Sequence, residues 1–209
     1  MSVDLLNQIL TRELLIEQLF VIGAIQEGEF TLKTGISSPI YIDLRRIISY
    51  PEIFQYVVDL MWQNIAHKEF DHLGGVPYAA LPLASGMALL YQRPMIMARK
   101  DVKDHGTKRS IEGVYKRGDT VMIIEDIVTS GLSIFETVDQ MAREGLLVND
   151  VIVFLDREQG AKERLAQKGI TLHAVCTLSQ VLEILQQRGQ IDESAARKIR
   201  DFIKSSQFQ

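Results

Sequence analysis

The spacing of apolar residues along the chain switches repeatedly between two periods. Apolar residues three and four positions apart, the spacing of an amphipathic helix, occur in six segments: 51–70, 82–92, 132–145, 161–169, about 178–189 and 193–205. Short apolar runs typical of buried strands occur in five others: 73–77, 94–99, 120–126, 148–156 and 170–178. Because strands that alternate with helices pair in parallel, we predict an α/β fold with a central, mainly parallel sheet flanked by helices.

The first part of the chain follows a different pattern. Leucines and isoleucines at helical spacing predict an amphipathic helix over 4–22. Residues 23–45 alternate loosely and are interrupted by glycines and Pro39, which predicts short strands that form a small hood. We predict a single domain over 1–209, with a hood of about 23–45 plus part of the C-terminal region and a core of about 46–175. The apolar stripe of the two closing helices is expected to pack on this domain, with a partner protein as the alternative.

Composition and charge narrow the function classes. The chain has 209 residues and a formal net charge of −4, so it has no overall attraction to nucleic acid or to an anionic membrane. Segment 73–92 lacks charged residues and approaches the length of a membrane span, but its glycines and prolines divide it, which favours buried core. The single cysteine, Cys176, excludes an internal disulfide, and the N-terminal residues do not resemble a secretory signal. We therefore expect a cytoplasmic protein that binds neither membranes nor nucleic acid.

The candidate chemistry begins in VMIIEDIVTSG, residues 121–131. Its apolar run predicts a strand buried on both faces, and Glu125 and Asp126 come at the carboxyl end, where open α/β sheets bind ligands. The backbone amides of residues 128–132, with the two hydroxyls among them, can enclose a phosphate at a helix N-terminus. Paired carboxylates can accept hydrogen bonds from the 2′ and 3′ hydroxyls of a ribose. A ribose 5-phosphate satisfies both halves; a helix-capping turn with surface acids is the alternative.

The segment EDIVTSG resembles the 5-phosphoribosyl 1-pyrophosphate (PRPP) binding signature of type I phosphoribosyltransferases, in which two acids precede a Thr/Ser/Gly phosphate loop. The resemblance implies the fold of that family, a mainly parallel sheet with a small hood. It also implies that seven residues of this segment bind PRPP: Glu125, Asp126, Val128, Thr129, Ser130, Gly131 and Leu132.

Segment 99–109 concentrates positive charge and lacks apolar periodicity, which predicts a mobile loop. A solvated charged loop is one interpretation, and a nucleic-acid patch is another, although the loop has no aromatic side chain to stack on bases. Lysine and arginine also stabilise the charge that builds on a departing pyrophosphate. The sequence ARKDVKDHGTKR resembles the catalytic loop of orotate phosphoribosyltransferases. The resemblance implies that Lys103 and His105 reach the active site of the neighbouring subunit, that Arg99 and Lys100 lie at the loop's base, and that all four contact PRPP.

Further segments extend the resemblance. FLDREQG carries Arg157 at the end of a predicted strand, where its planar guanidinium suits a carboxylate; a helix cap with a local salt bridge is the alternative. This segment matches the family's orotate-binding segment, which implies that Arg157, Thr129 and Lys33 bind orotate. Lys33, in the hood segment FTLKTGISSPIYIDLR, is also implied to contact PRPP, as is Tyr78 in the pyrophosphate loop GVPYAALPLA. Many microbial members have lysine after this tyrosine, whereas this chain has Ala79.

The resemblance implies an enzyme that converts orotate and PRPP to orotidine 5′-phosphate and pyrophosphate in pyrimidine synthesis. Lys103, His105 and Asp126 are the implied catalytic residues, in a homodimer with shared active sites. Mg²⁺ is the implied cofactor, held mainly by the substrates, and no protein metal site is predicted. The motifs are most similar to the orotate domain of bifunctional UMP synthases. No DxKxxD pattern of a decarboxylase occurs before Gln209, so a separate protein is expected to decarboxylate the product.

Three alternatives are open from the sequence. The first keeps the enzyme class but uses a purine or uracil as the base, although DREQG and the catalytic loop favour orotate. The second is a regulator that binds PRPP without turnover, which is expected to lack the catalytic loop or to carry a nucleic-acid-binding segment. The third is an interaction module built on the closing helices, which leaves the site motifs unexplained.

Overall fold

The structure is a computed structural model that describes residues 11–31, 37–99 and 110–206. The helices in these ranges are α1 Arg12–Val21, α2 Pro51–Ile65, α3 Leu81–Leu90, α4 Leu132–Arg143, α5 Ala161–Gln167, α6 Leu178–Gln187 and α7 Glu193–Ser205. The strands are β1 Ile25–Thr31, β2 Ser37–Ile42, β3 His72–Gly75, β4 Met95–Ala98, β5 Ile111–Glu112, β6 Thr120–Val128, β7 Leu147–Asp156 and β8 Thr171–Thr177. A 3₁₀ helix over Leu44–Ser49 precedes α2.

The central sheet has six strands in the order β5-β4-β3-β6-β7-β8, and every neighbouring pair is parallel except β4 and β5. The mainly parallel sheet predicted from the sequence is confirmed. Strand β6 lies in the middle because its residues from Val121 to Glu125 are all buried, as a strand covered on both faces requires. Parallel pairing brings the carboxyl ends of β3, β4, β6, β7 and β8 to one edge of the sheet.

Alternate residues of β6 face two separate hydrophobic clusters. Met122 and Ile124 belong to a cluster that includes residues of α1, α2, α3, α6 and α7. Val121 and Ile123 belong to a second cluster, formed with residues of α4 and α5. The helices therefore cover both faces of the sheet, as predicted, and the apolar stripe of the closing helices packs within the chain.

Strand β3 and helix α3 approach each other closely at Gly75. A Cβ atom at this position would lie 3.0 Å from the Ala84 Cβ and 3.1 Å from the carbonyl oxygen of Ala80. Glycine is required because any side chain would separate the strand from the helix. The close packing lets residues 76–80 turn tightly at the carboxyl edge of the sheet, between β3 and α3.

The hood is an antiparallel hairpin of β1 and β2, with a register shift between Glu27 and Phe30. At the open end of the hairpin the Asp43 amide donates to the Ala24 carbonyl oxygen at 2.8 Å, which continues the pairing of the two strands. Helix α7 packs against β2, and a groove of about 540 Å³ lies between them, lined in part by Phe202. The short strands predicted for the hood are thus confirmed on the described residues.

The main correction concerns the predicted helix over 4–22. The described helix begins at Arg12, because Thr11 has an extended backbone and its side chain accepts a hydrogen bond from the Leu14 amide, which caps the helix. An uninterrupted helix through residue 11 is therefore wrong, and residues 4–10 lie outside the described residues. Strand β5 and the 3₁₀ helix were not predicted; the other elements agree with the prediction to within a few residues, except that the helix predicted over 51–70 ends at Ile65.

The uncharged segment 73–92 is divided as expected. It contains the end of β3, a turn and the ten residues of α3. Within the part of the chain that the structure describes, no helix combines the length and apolar character needed to cross a membrane.

Candidate active site

The acidic pair lies at the carboxyl end of β6, as predicted, and its two side chains leave opposite faces of the strand. Glu125 is only 5% exposed, and its Oε2 accepts a hydrogen bond from Ser133 Oγ of α4 at 3.1 Å. Its Oε1 accepts a hydrogen bond from the Asp126 amide at 3.0 Å. Asp126 is half-buried, and its Oδ1 accepts a hydrogen bond from the Ile127 amide at 2.8 Å. Asp126 is therefore the more accessible acid of the pair.

Burial changes the acidity of this pair. Removal from water raises the pKa of Glu125 well above its usual range, and the neighbouring charge of Asp126 raises this pKa further. The hydrogen bonds from the Asp126 amide and Ser133 act in the opposite direction but are outweighed. A buried carboxyl group that resists ionisation beside a second acidic side chain is suited to a ligand that brings hydroxyl donors or positive charge.

The loop between β6 and α4 exposes a helix N-terminus. Gly131 is the N-cap residue of α4 and has a φ of 81°, a left-handed conformation that favours glycine. Within the described residues no side chain caps this helix. Neither Thr129 nor Ser130 is therefore its cap, as the alternative interpretation of this segment as a helix-capping turn required. The first-turn amides are free of a side-chain cap, and the helix dipole adds partial positive charge there, as phosphate binding requires. Leu132, at the start of the helix, is 61% exposed.

The structure brings Arg157 directly beside the phosphate loop. Its backbone amide donates to the Val128 carbonyl oxygen at 3.0 Å, since Val128 and Asp156 are paired in the register of β6 and β7. The Nε and Nη2 atoms of Arg157 are buried and have no hydrogen-bond partner among the described residues. Burial lowers the pKa of this guanidinium. A buried cation without a partner is costly, so this side chain favours an anionic ligand.

The turn after β3 adjoins the same helix. Val76 and Pro77 line a cavity of about 170 Å³ together with four residues of α4: Ser133, Glu136, Thr137 and Gln140. The following Tyr78 is 61% exposed, and the Pro77–Tyr78 peptide bond is cis. The predicted pyrophosphate loop therefore adjoins the first turns of α4, the helix that begins at the predicted phosphate loop.

The base of the predicted catalytic loop is well defined. The Arg99 amide donates to the Ser110 carbonyl oxygen at 2.9 Å, which places these two residues, before and after segment 100–109, side by side. Arg99 Nη1 donates to Glu112 Oε1 at 3.0 Å, and the Arg99 carbonyl oxygen accepts from Gln140 Nε2 at 3.0 Å. Four predicted site residues lie outside the described residues, and their roles stay predictions: Lys33, Lys100, Lys103 and His105.

The sequence did not predict two contributions to the site. Ser133 holds Glu125, and Arg45 forms two hydrogen bonds with Asp43 from Nε and Nη2, at 2.6 and 2.8 Å. The carboxylate of Asp43 raises the pKa of Arg45, and Asp126 adds a smaller contribution, so this arginine of the hood lies within electrostatic range of the acidic pair. The only sequence signal for Arg45 is its spacing of two residues from Asp43.

The donor set at the acidic pair limits how a metal ion can be held. No group of three or more histidine, cysteine, aspartate or glutamate side chains within the described ranges is placed to hold a metal. Both oxygens of Glu125 already accept hydrogen bonds, and Asp126 Oδ1 also accepts one. These residues fit an ion such as Mg²⁺ that takes most of its oxygen ligands from a substrate and from water.

Comparison with known proteins agrees with this geometry. The family model described as "Phosphoribosyl transferase domain" matches residues 45–178. The chain is 46% identical over 196 residues to uridine 5′-monophosphate synthase of Bos taurus, and the matched region covers 93% of this chain and 41% of that protein. It is 43% identical over 185 residues to orotate phosphoribosyltransferase of Caenorhabditis elegans, which covers 88% of this chain and 82% of that protein.

Solved structures show the same similarity. UMP synthase of Leishmania donovani matches with a TM-score of 0.85 and 36% identity over 97% of this chain and 45% of that chain. Orotate phosphoribosyltransferase of Mycobacterium tuberculosis in complex with PRPP matches with a TM-score of 0.67 and 27% identity, over 81% of this chain and 98% of that chain. The chain thus spans less than half the length of the UMP synthases that it matches, and most of the length of the orotate phosphoribosyltransferases.

Proposed function

This chain belongs to the orotate phosphoribosyltransferases, within the wider phosphoribosyl transferase domain family, and we propose that it transfers the phosphoribosyl group of PRPP to orotate. The products are orotidine 5′-phosphate and pyrophosphate. The observation that carries this proposal is the guanidinium of Arg157 next to the phosphate loop: its Nε and Nη2 atoms are buried and have no hydrogen-bond partner among the described residues. It provides a cation for the orotate carboxylate beside a site for a ribose 5-phosphate, as the reaction requires.

The donor is proposed to bind across the carboxyl edge of the sheet. The amides of residues 128–132, with the hydroxyls of Thr129 and Ser130, hold the 5′-phosphate at the N-terminus of α4. Glu125 and Asp126 face the ribose hydroxyls, with Asp126 as the more accessible acceptor. The loop of Tyr78 holds the pyrophosphate beside the first turns of α4. PRPP as the donor is supported by the M. tuberculosis relative of similar fold, whose structure was solved in complex with PRPP.

Catalysis is proposed to be positional and electrostatic. The bond between C1′ and the pyrophosphate oxygen breaks as the bond between C1′ and orotate N1 forms, positive charge develops on the ribosyl group, and the proton of N1 leaves with the departing pyrophosphate. Asp126 stabilises that charge, while Lys103 and His105, with Arg99 and Lys100 at the loop's base, stabilise the departing pyrophosphate. No residue of the chain becomes a covalent nucleophile.

The base is proposed to be held by Arg157, Thr129 and Lys33. Mg²⁺, when bound with the donor, neutralises negative charge on the pyrophosphate. Asp126 is the described residue best placed to contact such an ion, directly or through water. Because the loop residues are proposed to act in the neighbouring subunit, the working enzyme is proposed to be a homodimer with shared sites in the cytoplasm. It then supplies orotidine 5′-phosphate for UMP synthesis.

The proposal is tested by incubating the purified chain with PRPP, Mg²⁺ and one base at a time. Loss of orotate absorbance with formation of pyrophosphate, abolished by a chelator, is expected. Uracil, adenine and hypoxanthine serve as controls, because each lacks the carboxylate that Arg157 is proposed to bind. Turnover with any of these bases and not with orotate would overturn the assignment, and PRPP binding without turnover would indicate a regulator.

A further inference from the structure

The position of Arg157 depends on its neighbours in the chain. Its backbone is fixed on one side by the Val128 carbonyl oxygen. Its guanidinium has no partner for Nε or Nη2 among the residues described, so no salt bridge to those atoms fixes the direction of the side chain. The backbone on the other side of Arg157, at Glu158, is therefore a second place where the direction of this side chain can be set.

Glu158 has an uncommon backbone conformation. Its φ is 58°, in the left-handed region that side chains other than glycine rarely adopt. Two hydrogen bonds hold it there: the Glu158 amide donates to Asp156 Oδ1 at 2.8 Å, and Glu158 Oε2 accepts from the Ser179 amide at 2.7 Å. A residue that keeps this conformation without being glycine has a compensating contact, and here the contact lies outside its own loop.

The contact with Ser179 joins the loop to the first turn of α6. Thr177 is the N-cap residue of this helix, and it satisfies the Gln180 amide through a capping box. The Ser179 amide is left for Glu158, whose carboxylate also lies at the positive end of the helix dipole. The last residue of β7, Asp156, is paired with Thr177 in the register of β7 and β8. The loop is thus fastened to both the sheet and the helix.

We propose that Glu158 is a positioning residue for orotate, which through its hydrogen bond to the Ser179 amide holds the preceding Arg157 in the direction that binds the base. This inference rests on the proposed function. Glu158 itself touches neither substrate. Removal of its carboxylate frees the backbone on one side of Arg157, so the guanidinium spends less time in the binding direction and orotate binds more weakly. The phosphate loop, whose position does not depend on Ser179, keeps its affinity for PRPP.

The test compares the Michaelis constants for the two substrates in Glu158→Ala and Glu158→Gln. Glu158→Ala is expected to raise the KM for orotate about tenfold, the effect of losing a hydrogen bond to a charged group, and to change the KM for PRPP less than about twofold. Glu158→Gln retains an acceptor oxygen without the charge and is expected to restore part of the orotate affinity. A purely structural role of Glu158 would not raise the KM for orotate while leaving the KM for PRPP nearly unchanged.

Gln92→Ala is the matched control. Gln92 also has a left-handed backbone, with a φ of 52°, but it lies between α3 and the amino end of β4, at the opposite edge of the sheet. Its substitution is expected to leave both KM values unchanged. If Glu158→Ala raises both KM values equally, or neither, the positioning role is wrong. If Glu158→Ala does not fold, an orotate KM of Glu158→Gln equal to that of the unchanged chain overturns the role.

Failure of the proposed function is distinguishable from failure of this inference. An unchanged chain that does not turn over orotate contradicts the proposed function. An unchanged chain that turns over orotate, together with a Glu158→Ala variant of normal orotate KM, contradicts only the inference.

Discussion

Glu125 is an ionisable side chain in a position where burial disfavours its charged form. The carboxyl group is almost fully buried beside Asp126, so its pKa is raised well above the usual range. A group whose pKa is higher in the folded than in the unfolded chain favours folding at low pH. Its contribution to stability is fully present below the unfolded pKa, and it is lost as the pH rises through the folded pKa.

The substitution Glu125→Gln is therefore expected to stabilise the chain at pH 8. Its amide oxygen can still accept from the Asp126 amide, and its NH₂ group can donate to Ser133 Oγ, so both hydrogen bonds survive without the buried charge. A gain of about 1 kcal/mol corresponds to a melting temperature higher by about 2–4 °C for a chain of this size. The gain should shrink as the pH falls towards 4.5, when the native carboxyl group is protonated.

Thermal unfolding of both proteins across this pH range measures the effect, and PRPP turnover is expected to fall in the variant. If Glu125→Gln instead destabilises the chain at pH 8, and does so less at low pH, Glu125 is favourably ionised in the folded chain.

At the scale of single residues, the sequence predicted the residues proposed to contact the substrates better than the residues that hold them in place. Arg157 and the acidic pair were identified because they follow apolar strands, and the structure places them at one edge of the sheet. Ser133 and Glu158 were not identified, because their partners become neighbours only in the folded chain, and Arg45 was not, because its spacing from Asp43 does not show that it lies near the acidic pair. Glu158, for example, contacts an amide that is 21 residues away along the chain.

The elements that form the site share one construction, a buried strand followed by a tight turn and a helix. Gly131, between β6 and α4, has a left-handed conformation, and a side chain there would be strained whatever the surrounding space. This turn orients the amides proposed to hold the 5′-phosphate. The geometry of the phosphate loop therefore depends on a single glycine more than on its hydroxyl residues.

Gly131→Ala is expected to lower stability by about 1–2 kcal/mol, the cost of a left-handed alanine. It should also raise the KM for PRPP about tenfold, because the amides no longer point at the phosphate. The control is Gly169→Ala, since Gly169 has a φ of 74° and open space around it, and follows α5 away from the phosphate loop.

Thermal unfolding and PRPP kinetics on both variants separate the two effects. A similar loss of stability in both, with a higher KM for PRPP only in Gly131→Ala, is the expected result. Equal KM values for PRPP in the two variants would show that the phosphate loop does not bind the donor.

The elements that were not predicted from the sequence are those in which the spacing of apolar residues shows no clear period. Strand β5 has only two residues and pairs antiparallel at the edge of the sheet, so neither alternation nor a long apolar run marks it. The start of α1 was placed too early because leucine spacing alone cannot show that Thr11 turns its side chain back to cap the helix. The long strands β6 and β7 were predicted because each carries a run of consecutive buried residues, where the two covered faces of the sheet favour apolar side chains.

At the scale of the whole molecule, the proposed dimer gives each active site residues from two chains. Mixing Lys103→Ala subunits with Asp126→Asn subunits tests this. Each homodimer is expected to be inactive, whereas a mixed dimer has one site with both native residues. Random exchange of subunits should therefore restore about a quarter of the native activity.

The control mixes Lys103→Ala subunits with Lys103→Ala subunits carrying Asp126→Asn as well, which can form no native site. Activity that stays at the level of this control would show that the loop serves its own subunit, or that the subunits do not associate.

The central claim is that one site holds a phosphate, a ribose and the carboxylate of orotate together. Titration calorimetry with orotidine 5′-phosphate and with uridine 5′-phosphate tests it most directly, since the two nucleotides differ by that carboxylate alone. We predict that orotidine 5′-phosphate binds about ten to a hundred times more tightly, because it pairs with the buried guanidinium of Arg157. Equal affinities for the two nucleotides would contradict the account.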